Sequence, residues 1–409
     1  MGIEIPLLTP EYAADPRPAW KRLRGEAPVL WSEPFGFWVV SKYDDVVMML
    51  KNPDDFSSSI GSAGGLAPQA DGGAGAGVGF LPMIQHDPPD HTRLRGLLSR
   101  VFSPRRISDM EPRIRGIAAD LVAEIRRKAE AGESLDLYRD FASPLPVIVI
   151  AEMLGVPATE RERLGFWADA TGIGSGGRYS LDVRARAVKQ IDACLAGLIE
   201  KRRSEPEDDL ISALVQISDE DGNRLRSNEL LGFCKLLWIA GNETTTNLIS
   251  NASLILRERP DLLDELRANG SLIPAFVEEA LRYEGPVNGL FRVATRDLEI
   301  QGQRIGKGQP VWLLFSSANR DGDHFPDPDR FDLHRKPNDH LAFGFGIHFC
   351  LGAALARLEA RVAFEALTEI LPSLELYPEQ GERIPTPILR GWLKLPMTWK
   401  EGAEAGACP

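Results

Sequence analysis

Cysteine is scarce in this 409-residue chain: there are four, Cys194, Cys234, Cys350 and Cys408, and no two form a C-x-x-C pair. That scatter excludes a disulfide framework and argues against a structural zinc site, which takes about four protein ligands. Long hydrophobic runs are missing too, since none approaches the ~20 residues a membrane-spanning helix needs. No block of Lys and Arg marks a nucleic-acid surface, and the net charge is −12. The opening "MGIEIPLLTPEYAADP" has neither the basic nor the apolar region of a secretory signal. Pro6 stands where N-myristoylation requires Ser or Thr. The expectation is a cytoplasmic protein, monomeric, with neither membrane nor nucleic acid as partner. Residues 1–15 and the tail "EGAEAGACP", with Cys408 as a thiol of no function, are expected to be loosely ordered.

Apolar residues make up 43% of the chain and charged ones 26%, enough for a large core. No linker divides the chain into halves, so residues 1–409 are expected to form one domain. Most segments carry apolar residues at three- and four-residue spacing, as in "RIRGIAADLVAEIRRKAEA". "KYDDVVMML" follows the strand-like "GFWVV", with Ser41 and Asp44 spaced as a capping box. One long helix is expected over 226–258, then shorter ones at 260–269 and 271–284. Strand signals are confined to 36–40, parts of 292–313 and the C-terminal segment, which gives a mainly α class with small β-sheets (α+β). Residues 57–80, "SSSIGSAGGLAPQADGGAGAGVGF", are dominated by Gly, Ala and Ser. Composition alone reads as a linker, whereas such length inside a compact domain reads as a lid or binding loop.

The stretch "LAFGFGIHFCLGAALA" sets Cys350 among glycines and aromatics, just before a helical run. Zinc lacks ligands there, since only His348 is near. A cysteine nucleophile lacks a facing base, because residues i and i+2 diverge on regular structure. A core cysteine leaves Gly344, Gly346 and Gly352 unexplained. Haem needs one thiolate, since porphyrin supplies the equatorial ligands. The positive end of the following helix favours an anionic sulfur, and glycines let backbone approach a flat ligand. "FGFGIHFCLG" resembles, position for position, the F-G-x-G-x-H-x-C-x-G haem-binding signature of the cytochrome P-450 family.

Other segments strengthen the resemblance. "EEALRYEG" places Glu279 and Arg282 at i and i+3, similar to the family's E-x-x-R motif, and "FPDPDRFD" supplies Arg330 as the third member. The resemblance implies that these three form a structural network. "IAGNETTTN" puts Gly241 and three threonines mid-helix, a conflict with helix propensity of the kind that marks function. A threonine there can bond back one turn and open the helix. The segment resembles the family's oxygen-binding motif, which implies that Glu243 and Thr244 are an acid–alcohol pair delivering protons to dioxygen, beside Ala240. "HDPPDHTRLR" resembles the H-x-x-x-R segment, so His91 and Arg95, with Arg292 and His348, are implied contacts for the propionates of haem b. Phe343, Gly344 and Gly352 belong to the same signature, with Cys350 as the iron ligand.

The family's fold is a triangular prism with haem between the oxygen-binding helix and the helix after the cysteine. Its substrate region maps here to a 57–84 lid with Leu81, Met83 and Ile84, and to Leu236 and Ile239 on the long helix. Val287, Asn288 and Leu290, then Ile388 and Leu389, complete the wall. Those side chains imply an apolar small molecule, with Asn288 as a polar anchor. No G-x-G-x-x-G unit or fused redox segment is present, so electrons are expected from a ferredoxin- or flavodoxin-type donor with an NAD(P)H reductase. Arg100, Arg105 and Arg106 are its expected docking charges. A peroxide-driven peroxygenase and a haem sensor are the rival readings.

Overall fold

The computed structural model describes residues 5–7, 9–60, 83–175, 178–217, 222 and 224–400. Residues 227–258 contain no proline and close as a single 32-residue helix, Ser227–Glu258, which is the axis of the molecule. At its start the Arg226 N–H donates to Glu229 Oε2 at 2.8 Å, half of a capping box. The helices Pro144–Met153, Leu181–Ser204, Ile273–Glu284 and Ala353–Ile370 pack around it. Pro144–Met153 is apolar on nearly every side, as suits a helix covered on all faces. Phe276 and Phe364 meet edge to face at 5.0 Å in the resulting core.

A five-stranded sheet lies beside the helices, in the order Val29–Ser32, Phe37–Val40, Pro310–Leu313, Leu290–Ala294, Phe56–Ser57. Only the pairing of Phe37–Val40 with Pro310–Leu313 is parallel. Arg292 stands opposite Val311 in the next pair, which fixes the arginine on a rigid strand. Among the described residues three smaller sheets complete the β structure. The sheets are small against the helical mass, as the sequence pattern anticipates. Among the described residues no helix is long and apolar enough to cross a membrane.

Four local expectations differ from the structure. The helix Tyr43–Lys51 has no side-chain cap from Ser41. Asp321 caps it from a distant loop, accepting the Tyr43 N–H at 3.0 Å, while Ser41 Oγ donates to Pro28 O. The strands Val29–Ser32, Phe56–Ser57 and Leu135–Asp136 were not anticipated, because two to four residues are too few to display a period of two. The described residues of the N-terminal segment are packed: Ile5, Leu7 and Tyr12 are buried against Trp20 and Phe37. Tyr12 Oη also accepts the Trp20 indole N–H at 3.0 Å. Finally, the helix Ser227–Glu258 runs unbroken past its threonines.

Candidate active site

The cysteine loop is shaped by two left-handed glycines, Gly344 (φ 70°) and Gly346 (φ 71°). A side chain at Gly346 would run into the carbonyl of Leu50, so only glycine fits there. The Cys350 N–H donates to Phe343 O at 2.9 Å, closing the loop on itself. Arg357 lies 4.5 Å above the Phe343 ring and is held by Glu278 at 2.7 and 2.8 Å. The helix Ala353–Ile370 begins three residues after the cysteine, with Gly352 as its N-cap. Cys350 is exposed, yet the surrounding protein is close enough for desolvation to raise its thiol pKa. The Gly352 N–H and the guanidiniums of Arg95 and Arg357 pull the other way and lose. The anion needs the added positive charge of a metal.

The cations named from sequence do meet. His91 and His348 lie with ring centroids 4.2 Å apart, and His91 Nε2 is buried with no hydrogen-bond partner. Arg292 is buried, and desolvation pushes its pKa down to about 10. Burial first, then Arg292, His91 and Arg95, push His348 down to about 3. Burial lowers Arg95 too, with Cys350 acting against it. Asp87 is the carboxylate that acts on His91 and Arg292, and its oxygens are taken by Ser57 Oγ and the Ser58 N–H. Arg95 and Arg292 disfavour charge on both histidines, and with one orphaned imidazole nitrogen the four suit a ligand bearing two carboxylates. The set fits the two propionates of a haem beside one thiol. Sequence reasoning missed Ser58, whose Oγ lies 2.9 Å from His348 Nε2.

On the long helix, Ala240 is exposed between half-buried Ile239 and Gly241, and Thr244 is half-buried one turn on. Thr244 Oγ1 donates to Ala240 O at 2.8 Å, the expected back-bond. Gly241 has a packing reason instead of an opening one: a Cβ there would lie 2.8 Å from Ile150. Glu243 accepts the N–H groups of Ile173 and Gly174 at 2.8 and 2.5 Å. Burial outweighs those bonds and pushes its carboxyl up to about 7.

The buried ion-pair network needs one correction. Arg282 donates to both Glu279 oxygens, at 2.9 and 2.7 Å, and both side chains are fully buried. The third side chain is Arg335, 3.2 Å from Glu279 Oε1, and not Arg330. Arg330 contributes its carbonyl to Arg282 and Arg335, while its guanidinium is 67% exposed near Asp332. The meander turns so that position 335, not 330, faces inward.

Among the substrate-wall residues, Leu81 and most of the 57–84 segment lie outside the described residues. Met83 is buried and Ile84 exposed; Leu236, Ile239, Val287, Leu290 and Ile388 are half-buried. Leu389 is buried with Ile384 and Leu393, and pairs with Val287 through one β-bridge. Asn288 is not a free anchor. Its amide donates to Pro387 O and accepts from Ser316 Oγ, both at 2.9 Å, tying two chain segments together.

A family model described as "Cytochrome P450" matches residues 180–398. The chain is 40% identical to the cytochrome P450 monooxygenase PikC of Streptomyces venezuelae, over 99% of this chain and 96% of that one. It is 38% identical to the vitamin D(3) 25-hydroxylase of Pseudonocardia autotrophica, covering 96% of both. The structure of cytochrome P450 CYP109Q5 from Chondromyces apiculatus superposes with a TM-score of 0.85 at 38% identity, over 98% of this chain and 99% of that one. Likeness this close in sequence and fold, together with the cysteine loop, places the chain in the cytochrome P450 family, as an oxygen-incorporating haem-thiolate oxidoreductase that uses dioxygen.

Proposed function

We propose that this chain, acting as one domain in the cytoplasm, inserts an oxygen atom of dioxygen into an apolar small molecule by hydroxylation, epoxidation or dealkylation. Electrons arrive from a separate ferredoxin- or flavodoxin-type donor. Bound haem supplies the dioxygen activation and the oxidising power. Cys350 would hold its iron, beside Phe343, Gly344 and Gly352 of the same loop. His91, Arg95, Arg292 and His348 would hold its two carboxylates. The half-buried aliphatic side chains of Leu236, Ile239, Val287, Leu290 and Ile388 give the substrate an apolar wall.

The observation that carries the dioxygen reading is Glu243. It is anchored by two backbone N–H groups, adjoins Thr244, and is pushed up to about 7 by burial. A carboxyl with that pKa both gives and takes protons at neutral pH. Thr244 spends its own proton on Ala240 O, so its oxygen is free to accept a hydrogen bond from water. Together they pass protons inward while the buried helix excludes bulk water. A peroxygenase has no use for this pair.

Labelled dioxygen tests the reading. With a reconstituted donor, the product should carry one labelled oxygen, and the reduced carbon monoxide complex should give the thiolate-haem spectrum. Turnover driven equally well by peroxide without the donor, or label-free product, would overturn it.

A further inference from the structure

The long helix has a second functional face. Positions 242 and 246 lie about 160° round from Ala240 and Thr244, and position 243 sits between, about 80° from each side. On that rear face is a cavity of about 30 Å³, walled by Tyr138, Asp169, Trp238, Asn242, Glu243, Asn247 and Trp392 among others. One water needs about 10–15 Å³ on the same measure, so the space takes about two.

Its wall is polar in a specific way. Trp238 Nε1, Trp392 Nε1 and both amide atoms of Asn242 and of Asn247 have no hydrogen-bond partner. These four residues are 0–4% exposed. Six orphaned donors and acceptors in one cavity are the partners water requires, and an apolar ligand would satisfy none of them. Two carboxyl groups share the cavity. Tyr138 Oη donates to Asp169 Oδ1 at 2.8 Å, and Glu243 is anchored on the turn at Ile173 and Gly174. Burial raises the Asp169 carboxyl, and Asp169 in turn helps to raise Glu243. The other charged or titratable groups acting here are Tyr179, Arg178 and Arg184.

We propose that water in this cavity relays protons from Asp169, oriented by Tyr138, to Glu243. This rests on the reading of Glu243 as the donor beside Thr244. A proton leaves the Asp169 carboxyl for a water, a water proton passes to the Glu243 carboxylate, and solvent reprotonates Asp169. The replacement comes from solvent at Asp169, which is itself half-buried. No electron moves. Asp169 is a positioning and supplying residue; it does not touch substrate or haem.

The test compares Asp169→Asn, Tyr138→Phe and Glu243→Gln as haem-loaded proteins with unchanged carbon monoxide spectra. Asp169→Asn should slow turnover about ten-fold, with KM unchanged, more peroxide released and a larger solvent deuterium isotope effect. Tyr138→Phe should do the same more weakly. Independently of activity, the protonated-carboxyl infrared band of Glu243 should titrate at lower pH in Asp169→Asn, because a like charge is removed. An unchanged isotope effect and an unmoved band in Asp169→Asn, with Glu243→Gln still impaired, would overturn the relay alone. If Glu243→Gln itself left turnover and isotope effect untouched, both the relay and the role of Glu243 would fall.

Discussion

Two carboxyl groups at the long helix are pushed up by burial, and they do different work. Glu243 is held by a turn beside the candidate relay. Glu359, on the helix after the cysteine, is 1% exposed with Oε1 unpartnered, and burial pushes it up to about 8 against a hydrogen bond from Thr245. Its position was readable, because it falls on the same stripe as Leu355, Leu358 and Val362 in an otherwise apolar face. A carboxyl with a raised folded-state pKa binds more protons folded than unfolded, so its contribution is whole at low pH. That contribution is lost as pH climbs from about 4.5 to about 8. Glu359→Gln removes the titration. Urea unfolding should therefore give a variant that gains on the parent across that window, by up to about 5 kcal/mol at its top. Equal slopes against pH for the two proteins would refute an ionisable Glu359 as the cause.

Elements carry the next level of organisation, and the segment before the cysteine loop is the instructive case. Glu279 accepts from Arg282, Arg335, the Asn338 amide and the Asp332 N–H, so one buried carboxylate gathers three parts of the chain. Arg335 also donates to the carbonyls of Pro326, Asp327 and Arg330. Arg335→Ala would strand those acceptors and half-expose a buried charge, costing about 3–5 kcal/mol. Arg330→Ala should stay within about 0.5 kcal/mol. Guanidinium unfolding separates the two, and equal losses would sink the assignment of Arg335. The long helices and Glu279–Arg282 were legible because period and i, i+3 spacing are local properties. The choice between Arg330 and Arg335 was not, since it depends on how an irregular meander turns. Asn288 was misread for a related reason: its partners Pro387 and Ser316 come from remote segments. The cavity behind Asn242 was invisible for the same cause, being assembled from distant stretches of chain.

At the scale of the molecule, charge is uneven. The chain carries −12 in all, yet a groove of about 560 Å³ is lined by Arg100, Arg105, Arg106 and Arg113. Part of this charge is already met, since Arg113 is held by Glu152 and Arg106 lies 3.6 Å from Asp208. The helix Pro104–Asp109 on that groove packs against Ala353–Ile370, which starts just beyond Cys350. Asp109, Glu152, Asp208 and Asp209 line the same groove, so the arginines are balanced overall, and an acidic partner would be oriented by Arg105 and Arg106 in particular. We propose that an acidic electron donor docks on this side, met by Arg105 and Arg106. Arg105→Glu with Arg106→Glu should slow the first electron transfer about ten-fold at low salt, and the variant and parent rates should converge near 1 M salt, where screening acts within ~3 Å. Substrate binding and the carbon monoxide spectrum should not change. Arg304→Glu, on an 80% exposed side chain in the remote hairpin Leu298–Ile305, is the control and should leave the rate as it is. If reversal at 105 and 106 mattered no more than reversal at 304, the donor would have to approach by another face.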